Sequence, residues 1–475
     1  MDQLVDAPQL DGRPFFFCGI GGSGMLPLAQ IVHGLGYEVA GSDRSRDQGR
    51  TPAKFEWLEK AGFDLFAQDG SGIQSAEQIL IASAAVEDTV PEVKRAAQLG
   101  CLRMTRAELL STLFNQAGFS IAVAGTSGKS TVTGMIAWIL SATNRNPTVM
   151  NGAVMKNFVS EQNPFASAAV GRPELFVSEV DESDGSIALY RPTIGVLLNV
   201  SLDHKSLEEL RVLFGDYVRE VGCAVVNFDN EEAVFLASKA SQLVSFGVVN
   251  TEADLCVEAG SIEEGAFDIK ARVRDNRSGE NYALTVPMPG LHNLSNAMAA
   301  IAAVSAAGVD VSEAVEALGQ YAGLARRFDV VGTSGGGVTV IDDFGHNPEK
   351  CAATLRTLKA HSGRVLAFFQ PHGYGPLRQM GDELAQTFAS ELGRDDVTIM
   401  CDPVYFGGTV DRSEGSERII DLIRAGGGQA EHIATREACG DRLVELAQPG
   451  DRIVIMGARD DTLSAFAKGV FERLE

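Results

Sequence analysis

Twice in this chain an apolar run passes directly into a glycine-rich turn and then into a helical pattern, and that arrangement constrains the fold before composition is considered. From Pro14, the stretch FFFCGIGGSGMLPLAQIVHGLGYEVAGSD reads as a buried strand, a tight turn, a helix and a second strand ending at Asp43. Further on, FSIAVAG (119–125) followed by TSGKST repeats the strand–turn–helix order. Strands joined through helices run parallel, with helices covering both faces of the sheet. An α/β architecture follows, with the two turns in separate sheets.

The alternation continues along the chain. ILIASAA (79–85) and the helical VPEVKRAAQLG extend the first block, while LFVSEVD and TIGVLLNV add strands to the second. Between Thr251 and Pro289, shorter runs such as FDIKARVRD and ALTVPMPG suggest an antiparallel addition, and the helix NLSNAMAAIAAVSAAGV closes that block. A third block begins near Ala325, with Gly335-Gly336-Gly337 as a hairpin turn, and runs through RVLAFFQ, VTIMCDP and RIVIMGA. With 475 residues, the chain is about three times a common domain length of ~150 residues. Three domains are expected: 1–113, Rossmann-like; 114–323, P-loop ATPase-like with a mainly parallel sheet; and 324–475, a second Rossmann-like α/β domain.

Composition excludes several classes of function. A formal charge of -23 argues against nucleic acid or an anionic membrane surface as partner, because both are held by excess Lys and Arg. No apolar run approaches the ~20 residues that span a bilayer. The acidic start MDQLVDAPQLDGR is unlike a secretory signal, so a cytoplasmic location is expected. Seven scattered cysteines without a C-x-x-C pair read as reduced packing residues. Any anionic ligand must therefore be held by local loops.

The first loop, Gly19-Ile20-Gly21-Gly22-Ser23-Gly24, satisfies G-x-G-x-x-G, with Asp43 at the end of the next strand. Glycines let backbone amides approach a diphosphate at a helix N-terminus, and Asp43 is placed to accept ribose hydroxyls. NAD and a UDP-sugar are both diphosphates, so this loop alone leaves a dehydrogenase open. The second loop, Gly125-Thr126-Ser127-Gly128-Lys129-Ser130-Thr131, resembles a P-loop but carries Val123 where the first glycine of that pattern would fall. Lys129 can neutralise β and γ phosphates, and Ser130 can ligate magnesium. Downstream, Glu179, Asp181, Glu182 and Asp184 crowd the end of one strand, and Asp203-His204 follows another. A solvated acidic loop is the commoner fate of such a run, but strand-end placement beside a P-loop favours a Mg2+ site.

Nine segments in order, GIGGSGM, AGTSGKSTVTGM, SEVDESDGS, NVSLDHKS, PGLHNLSNAMAA, ARRFDVVG, DDFGHNPEK, FQPHGYGPLR and VIMGARDD, resemble the successive motifs of the Mur ligases. The likeness is greatest to the alanine-adding branch and to the branch that attaches recycled tripeptide. The resemblance implies ATP and Mg2+ as cofactors. It also implies an amide bond made, through an acyl phosphate, between an amino acid and the lactyl carboxylate of UDP-N-acetylmuramate during peptidoglycan precursor synthesis. L-alanine is the leading amine; the alternatives are a short peptide, as in cell-wall recycling, or the same chemistry on another nucleotide-linked acid.

Carried onto this chain, the resemblance assigns Gly21, Gly22, Ser23, Gly24, Met25, Asp43, Ser83 and Arg106 to the UDP-sugar. It gives Gly125 to Thr131, His292, Asn296, Arg327 and Asp342 to ATP, and Ser130, Glu179 and His204 to magnesium. Lys129, Glu179 and His204 are the implied catalytic groups, and His346, His372 and Arg378 the implied acceptor groups. ATP contacts from two domains imply that closure excludes water from the acyl phosphate. A monomer or a homodimer is consistent with all of this.

The chain departs from the alanine-adding pattern on the acceptor side. That branch carries His after the first GT of the P-loop, two histidines after DDYG and arginines after FQPH. Here stand Ser127, His346-Asn347 and His372-Gly373-Tyr374-Gly375-Pro376. The missing guanidinium groups remove a natural fork for a carboxylate, for which Arg378 or Arg459 would have to substitute. A nicotinamide dehydrogenase explains only the first loop. A nucleotide-binding regulator would require ATP bound without turnover.

Overall fold

A computed structural model describes residues 10, 12–84, 86–183, 185–201, 205–404, 414–458, 460 and 462–475. Three α/β sheets follow one another along the chain, grouped in two compact units. The first unit takes 1–263, 270–287 and 291–322, and the second takes 264–269, 288–290 and 323–475.

The first sheet is parallel, in the order Asp64–Phe66, Val39–Ser42, Phe15–Cys18, Ile79–Ala82, Leu102–Thr105. Its central strand is FFFC, wholly buried, as a strand covered by helices on both faces must be. The helix Arg106–Gln116 opens with a capping box, in which Thr105 and Glu108 exchange side-chain and backbone hydrogen bonds. It crosses residue 113 and carries Phe114 into the next layer, edge-on to Phe176 at 5.6 Å and Tyr190 at 5.2 Å. The first two sheets thereby share one core, from Phe15 and Leu109 through to Phe176 and Leu197.

In the second sheet, six parallel strands run in the order Leu243–Gly247, Cys223–Asn227, Ile194–Leu197, Phe119–Ala124, Arg172–Glu179, Pro147–Met150. Leu255–Val257 extends it in parallel, and the strand Ile269–Asp275 then pairs antiparallel, as the alternating sequence there suggests. The helices Lys129–Ala142 and Leu291–Ala306 are apolar nearly all round, and most of their residues are buried.

The second unit carries a sheet in the order Asp329–Thr333, Thr339–Asp343, Arg452–Gly457, Val365–Gln370, Val397–Met400, Gln429–His432. Only the first strand is antiparallel, and its connection to the second is the glycine-rich turn 334–338. All seven cysteines are unpaired thiols. Among the described residues, no helix is long and apolar enough to cross a membrane.

Candidate active site

In open parallel sheets, ligands gather beyond the carboxyl ends of the strands. The phosphate loop leaves the strand Phe119–Ala124 at that edge and enters the helix at Lys129. Gly125 has φ +138° and Gly128 φ +90°, conformations that a residue with a Cβ rarely adopts. A Cβ at Gly128 would also stand 2.6 Å from Asn296 Oδ1. The amide of Asn296 therefore packs directly on the loop.

Asn199, at the end of the adjacent strand region, holds the loop in shape. Thr126 N donates to its carbonyl at 3.1 Å, Ser127 N donates to its side-chain oxygen at 2.9 Å, and its amide group donates back to Ser127 O at 3.0 Å. The first loop amides are thus committed to protein. The amides of the first helical turn, which an α-helix leaves without internal partners, remain for an anion.

The acidic strand end lies against this loop. Ser130 Oγ donates to Glu179 Oε2 at 2.7 Å, and Lys129 Nζ contacts Glu182 Oε2 at 2.8 Å and Gly125 O at 2.7 Å. Asn151 Nδ2 donates to Ser130 O, which ties the loop to the neighbouring turn. Burial works to raise the Asp181 carboxyl. Hydrogen bonds from Ser183 and the positive charges of Lys129 and Arg106 outweigh it and hold the group below the usual carboxylate value. Arg106 and Lys129, each the first residue of its helix, thus act electrostatically on one carboxylate. Asp184, Asp203 and His204, the last of them an expected metal ligand, lie outside the described residues.

The first glycine loop is organised by Asp43, which is buried. Its two oxygens accept from Gly21 N at 2.8 Å and from Ser45 N at 2.7 Å. Both oxygens therefore serve the backbone first, shaping the loop and capping the short helix Arg44–Asp47. Lys54 Nζ reaches Gly21 O at 3.1 Å. Gly22 N closes a turn onto Gly19 O, Ser23 is exposed on the loop, and Met25 starts the buried helix Met25–Gly34. The Arg106 side chain lies over Gly24, where a Cβ would meet its Cδ at 3.1 Å. Ser83 follows the strand Ile79–Ala82 at the same edge of the sheet. The motif residues of the two glycine loops thus occupy the carboxyl edges of two sheets that share one core.

Thr131 is buried behind the loop, and His292 is exposed one turn before Asn296 on the helix Leu291–Ala306. An open cavity of about 1230 Å³ lies at the opposite edge of this sheet, lined by strand starts such as Phe119 and Pro147 with Arg145 and Arg172. None of the expected site residues lines it.

In the second unit, Arg326 and Arg327 stack on the Phe344 ring at 5.0 and 4.3 Å. Asp342 accepts from Ser464 Oγ at 2.6 Å, with Arg326 Nε 3.6 Å away. Burial pushes its carboxyl up to about 6, against the lowering effect of Ser464 and Arg326. His346 Nδ1 pairs with Phe344 O, and its ring stands perpendicular to that of His372 at 5.6 Å. Burial, helped by the charge of Lys350, lowers the His346 imidazole to about 4, so it is neutral near pH 7. Asn347, where the alanine-adding pattern has histidine, caps the helix Pro348–Lys359 by accepting from Lys350 N at 2.9 Å. Arg378 is exposed on the helix Tyr374–Glu391. Arg459 lies outside the described residues.

Residues 14–117 match the Mur ligase family catalytic domain, 123–304 the Mur ligase middle domain, and 326–459 the glutamate ligase domain of Mur ligases. The chain belongs to the Mur ligase family. The UDP-N-acetylmuramate–L-alanine ligase of Brucella anthropi is 34% identical to this Mur ligase over 466 residues, 95% of each chain. The enzyme of the same name from Jannaschia sp. is 35% identical, across 96% of this chain and 94% of its own. Among solved structures, UDP-N-acetylmuramate-alanine ligase from Thermotoga maritima superposes with a TM-score of 0.77 at 24% identity, covering 97% of this chain and 99% of that one. A murein peptide ligase from Psychrobacter arcticus gives 0.70 at 26% identity, covering 98% of each.

Four residues of this Mur ligase's site carried no signal that the sequence reading used: Asn199, Asn151, Glu182 as the lysine's partner, and Gly152. A Cβ on Gly152 would fall 2.1 Å from Glu179 Oε1. Asn199 and Glu182 are the positions a motif search could have caught, since they sit inside NVSLDHKS and SEVDESDGS.

Proposed function

We propose that this Mur ligase joins L-alanine to the lactyl carboxylate of UDP-N-acetylmuramate, using ATP, as a step in making peptidoglycan precursor. The observation that carries the reading is the meeting of Lys129, Ser130 and Glu179 at one strand edge, within one compact unit that also holds the first glycine loop. The names of relatives at about one-third identity over nearly the full chain point the same way. A division into UDP-sugar (1–113), ATP (114–323) and acceptor (324–475) domains belongs to this reading.

A carboxylate is a poor electrophile. Its oxygen takes the γ-phosphoryl group of ATP, giving an acyl phosphate and ADP; the amine then attacks the carbonyl carbon, and phosphate leaves as the amide forms. Lys129 offsets charge on the phosphoryl oxygens, and the amides opening the helix at Lys129 orient them. Magnesium fits the donor set of Ser130 and Glu179, hard oxygens already 2.7 Å apart and packed against Gly152. When bound, it would supply further neutralisation of the phosphate charge. The Arg106 guanidinium, lying over Gly24, is suited to an anionic group on the sugar nucleotide.

One observation favours a second reading, a peptide in place of L-alanine. After FQPH, where alanine-adding enzymes carry arginines, this chain has Gly373-Tyr374-Gly375-Pro376, and a murein peptide ligase superposes over nearly the whole chain. Phosphate release from ATP in the presence of UDP-N-acetylmuramate, across a panel of amino acids and muropeptides, separates the two. L-alanine as the best acceptor upholds the first reading, a tripeptide the second, and NAD reduction without phosphate release would overturn both.

A further inference from the structure

The mechanism leaves one charged contact without a role. Lys129 Nζ lies 2.8 Å from Glu182 Oε2, with side chains only 18% and 9% exposed, and 2.7 Å from the carbonyl of Gly125. Two of its three N–H donors are therefore committed within the protein. Glu182 is presented by a fixed turn: Asp181 Oδ1 accepts from Ser183 N at 2.9 Å, Gly185 N donates to Glu182 O at 3.3 Å, and Gly185 sits at φ +76°. The turn fixes the backbone from which the carboxylate extends.

A phosphate-loop lysine works by reaching the β and γ phosphates. The phosphates and Glu182 thus compete for one ammonium in a partly desolvated place, where charge interactions are strong. Binding of nucleotide also leaves Glu182 without its cation as a polyanion arrives beside it, which is a like-charge penalty. The geometry points to Glu182 as a positioning residue: it is the counter-ion that stores the phosphate-loop lysine in the nucleotide-free enzyme and that nucleotide must displace. The penalty it imposes on bare phosphate makes nucleotide binding depend on an accompanying divalent cation. This inference rests on the ATP-ligase reading.

The test is calorimetric binding of ADP to the full chain, with magnesium and with EDTA, in wild type, Glu182→Gln and Glu182→Asp. Glu182→Gln keeps the size and removes the competing charge. Its Kd for ADP in EDTA should fall about tenfold, equivalent to about 1.4 kcal/mol, and its gain from added magnesium should shrink. In steady state, KM for ATP falls while inhibition by ADP grows. Glu182→Asp keeps the charge on a shorter stem and should lie between the two, so it carries the test alone if Glu182→Gln does not fold.

A merely structural role would reduce the folded fraction without altering Kd per folded site, and an unchanged Kd overturns the inference. So does weaker ADP binding in magnesium, which would make Glu182 a cation ligand instead. Wild-type protein that binds no adenine nucleotide overturns the ligase reading together with this one, whereas normal wild-type binding with unaltered variants sinks only this one.

Discussion

Gly152 and Glu179 stand so close that position 152 has no room for a side chain: a Cβ there would lie 2.1 Å from Glu179 Oε1 and 3.2 Å from Ser130 Oγ. Since Glu179 ends a strand and directly follows the buried stretch Phe176-Val177-Ser178, a methyl group must push its carboxylate off Ser130. Displacement of a reacting group by about 1 Å commonly costs on the order of 10²-fold in rate. Gly152→Ala should therefore lower kcat/KM by about that factor, with the far-UV circular dichroism unchanged and the magnesium requirement raised. Wild-type kinetics in a folded variant would show that Glu179 takes no part.

Lys129→Ala removes the ammonium at the start of the loop helix and leaves Glu182, buried and acidic, without this partner. Acceptor-dependent ADP release should disappear. Near-normal turnover in that variant would refute the assignment of the phosphate loop.

Asn199 is exchanged for alanine in the third test. The variant loses the two side-chain hydrogen bonds to Ser127, each contributing about 1 kcal/mol, and keeps the backbone bond from Thr126 N. Because Asn199 touches the loop and not the space over the helix start, KM for ATP should rise several-fold more than kcat falls. A large loss of kcat at unchanged KM would place Asn199 in the chemistry itself.

How far the sequence could be read is visible in these residues. Strand and helix identities followed from unbroken apolar runs such as FFFC and FSIAVA, since strands covered on both faces carry their burial in the sequence. The loop chemistry of Lys129 and Ser130 was legible because glycine spacing and a strand–turn–helix context occur together. Glu182 was legible only as one carboxylate among four, because adjacent acids differ in direction, and direction is set by the turn through Gly185. Asp43 was expected to face a ribose, but its distance from Gly21, 22 residues in sequence and 2.8 Å in space, is a tertiary fact. Asn347 reads as a lost histidine in the motif, and its capping bond to Lys350 N gives it a local purpose that the motif comparison hides.

A buried carboxyl and a half-buried imidazole in the second unit give opposing pH dependences. Asp342 has its pKa raised to about 6 when folded, so it binds more protons folded than unfolded between about pH 4 and 6; its contribution to stability is present at low pH and is lost as pH rises through 6. His346 has its pKa lowered to about 4, so its contribution is present above the ordinary histidine value and is lost as pH falls through 4. In wild type the two slopes largely cancel over that window. Thermal unfolding from pH 4 to 6.5 should show Asp342→Asn gaining stability with pH and His346→Gln losing it, relative to wild type. Parallel curves for the two variants would contradict both assignments.

Gly373 adopts φ +145° and ψ +165°, a region essentially reserved for glycine, immediately before the helix Tyr374–Glu391. It follows FQPH, where alanine-adding enzymes carry arginine, so the departure extends beyond the lost charge to a backbone that a side chain does not readily accept. A non-glycine residue in such a conformation costs about 1–3 kcal/mol. Gly373→Ala and Gly373→Arg should both lower the unfolding midpoint. Gly375→Ala, with nothing within 4 Å of an added Cβ, should leave it unchanged or raise it slightly. If Gly373→Arg is as stable as wild type and its preference for L-alanine over a muropeptide rises, the loop can take the alanine-adding conformation and the missing guanidinium alone sets the acceptor. If it is destabilised with its acceptor preference unchanged, the carboxylate of the acceptor is held by groups other than those the family motif supplies, with Arg378, exposed in the second turn of the helix Tyr374–Glu391, the first to replace by glutamine.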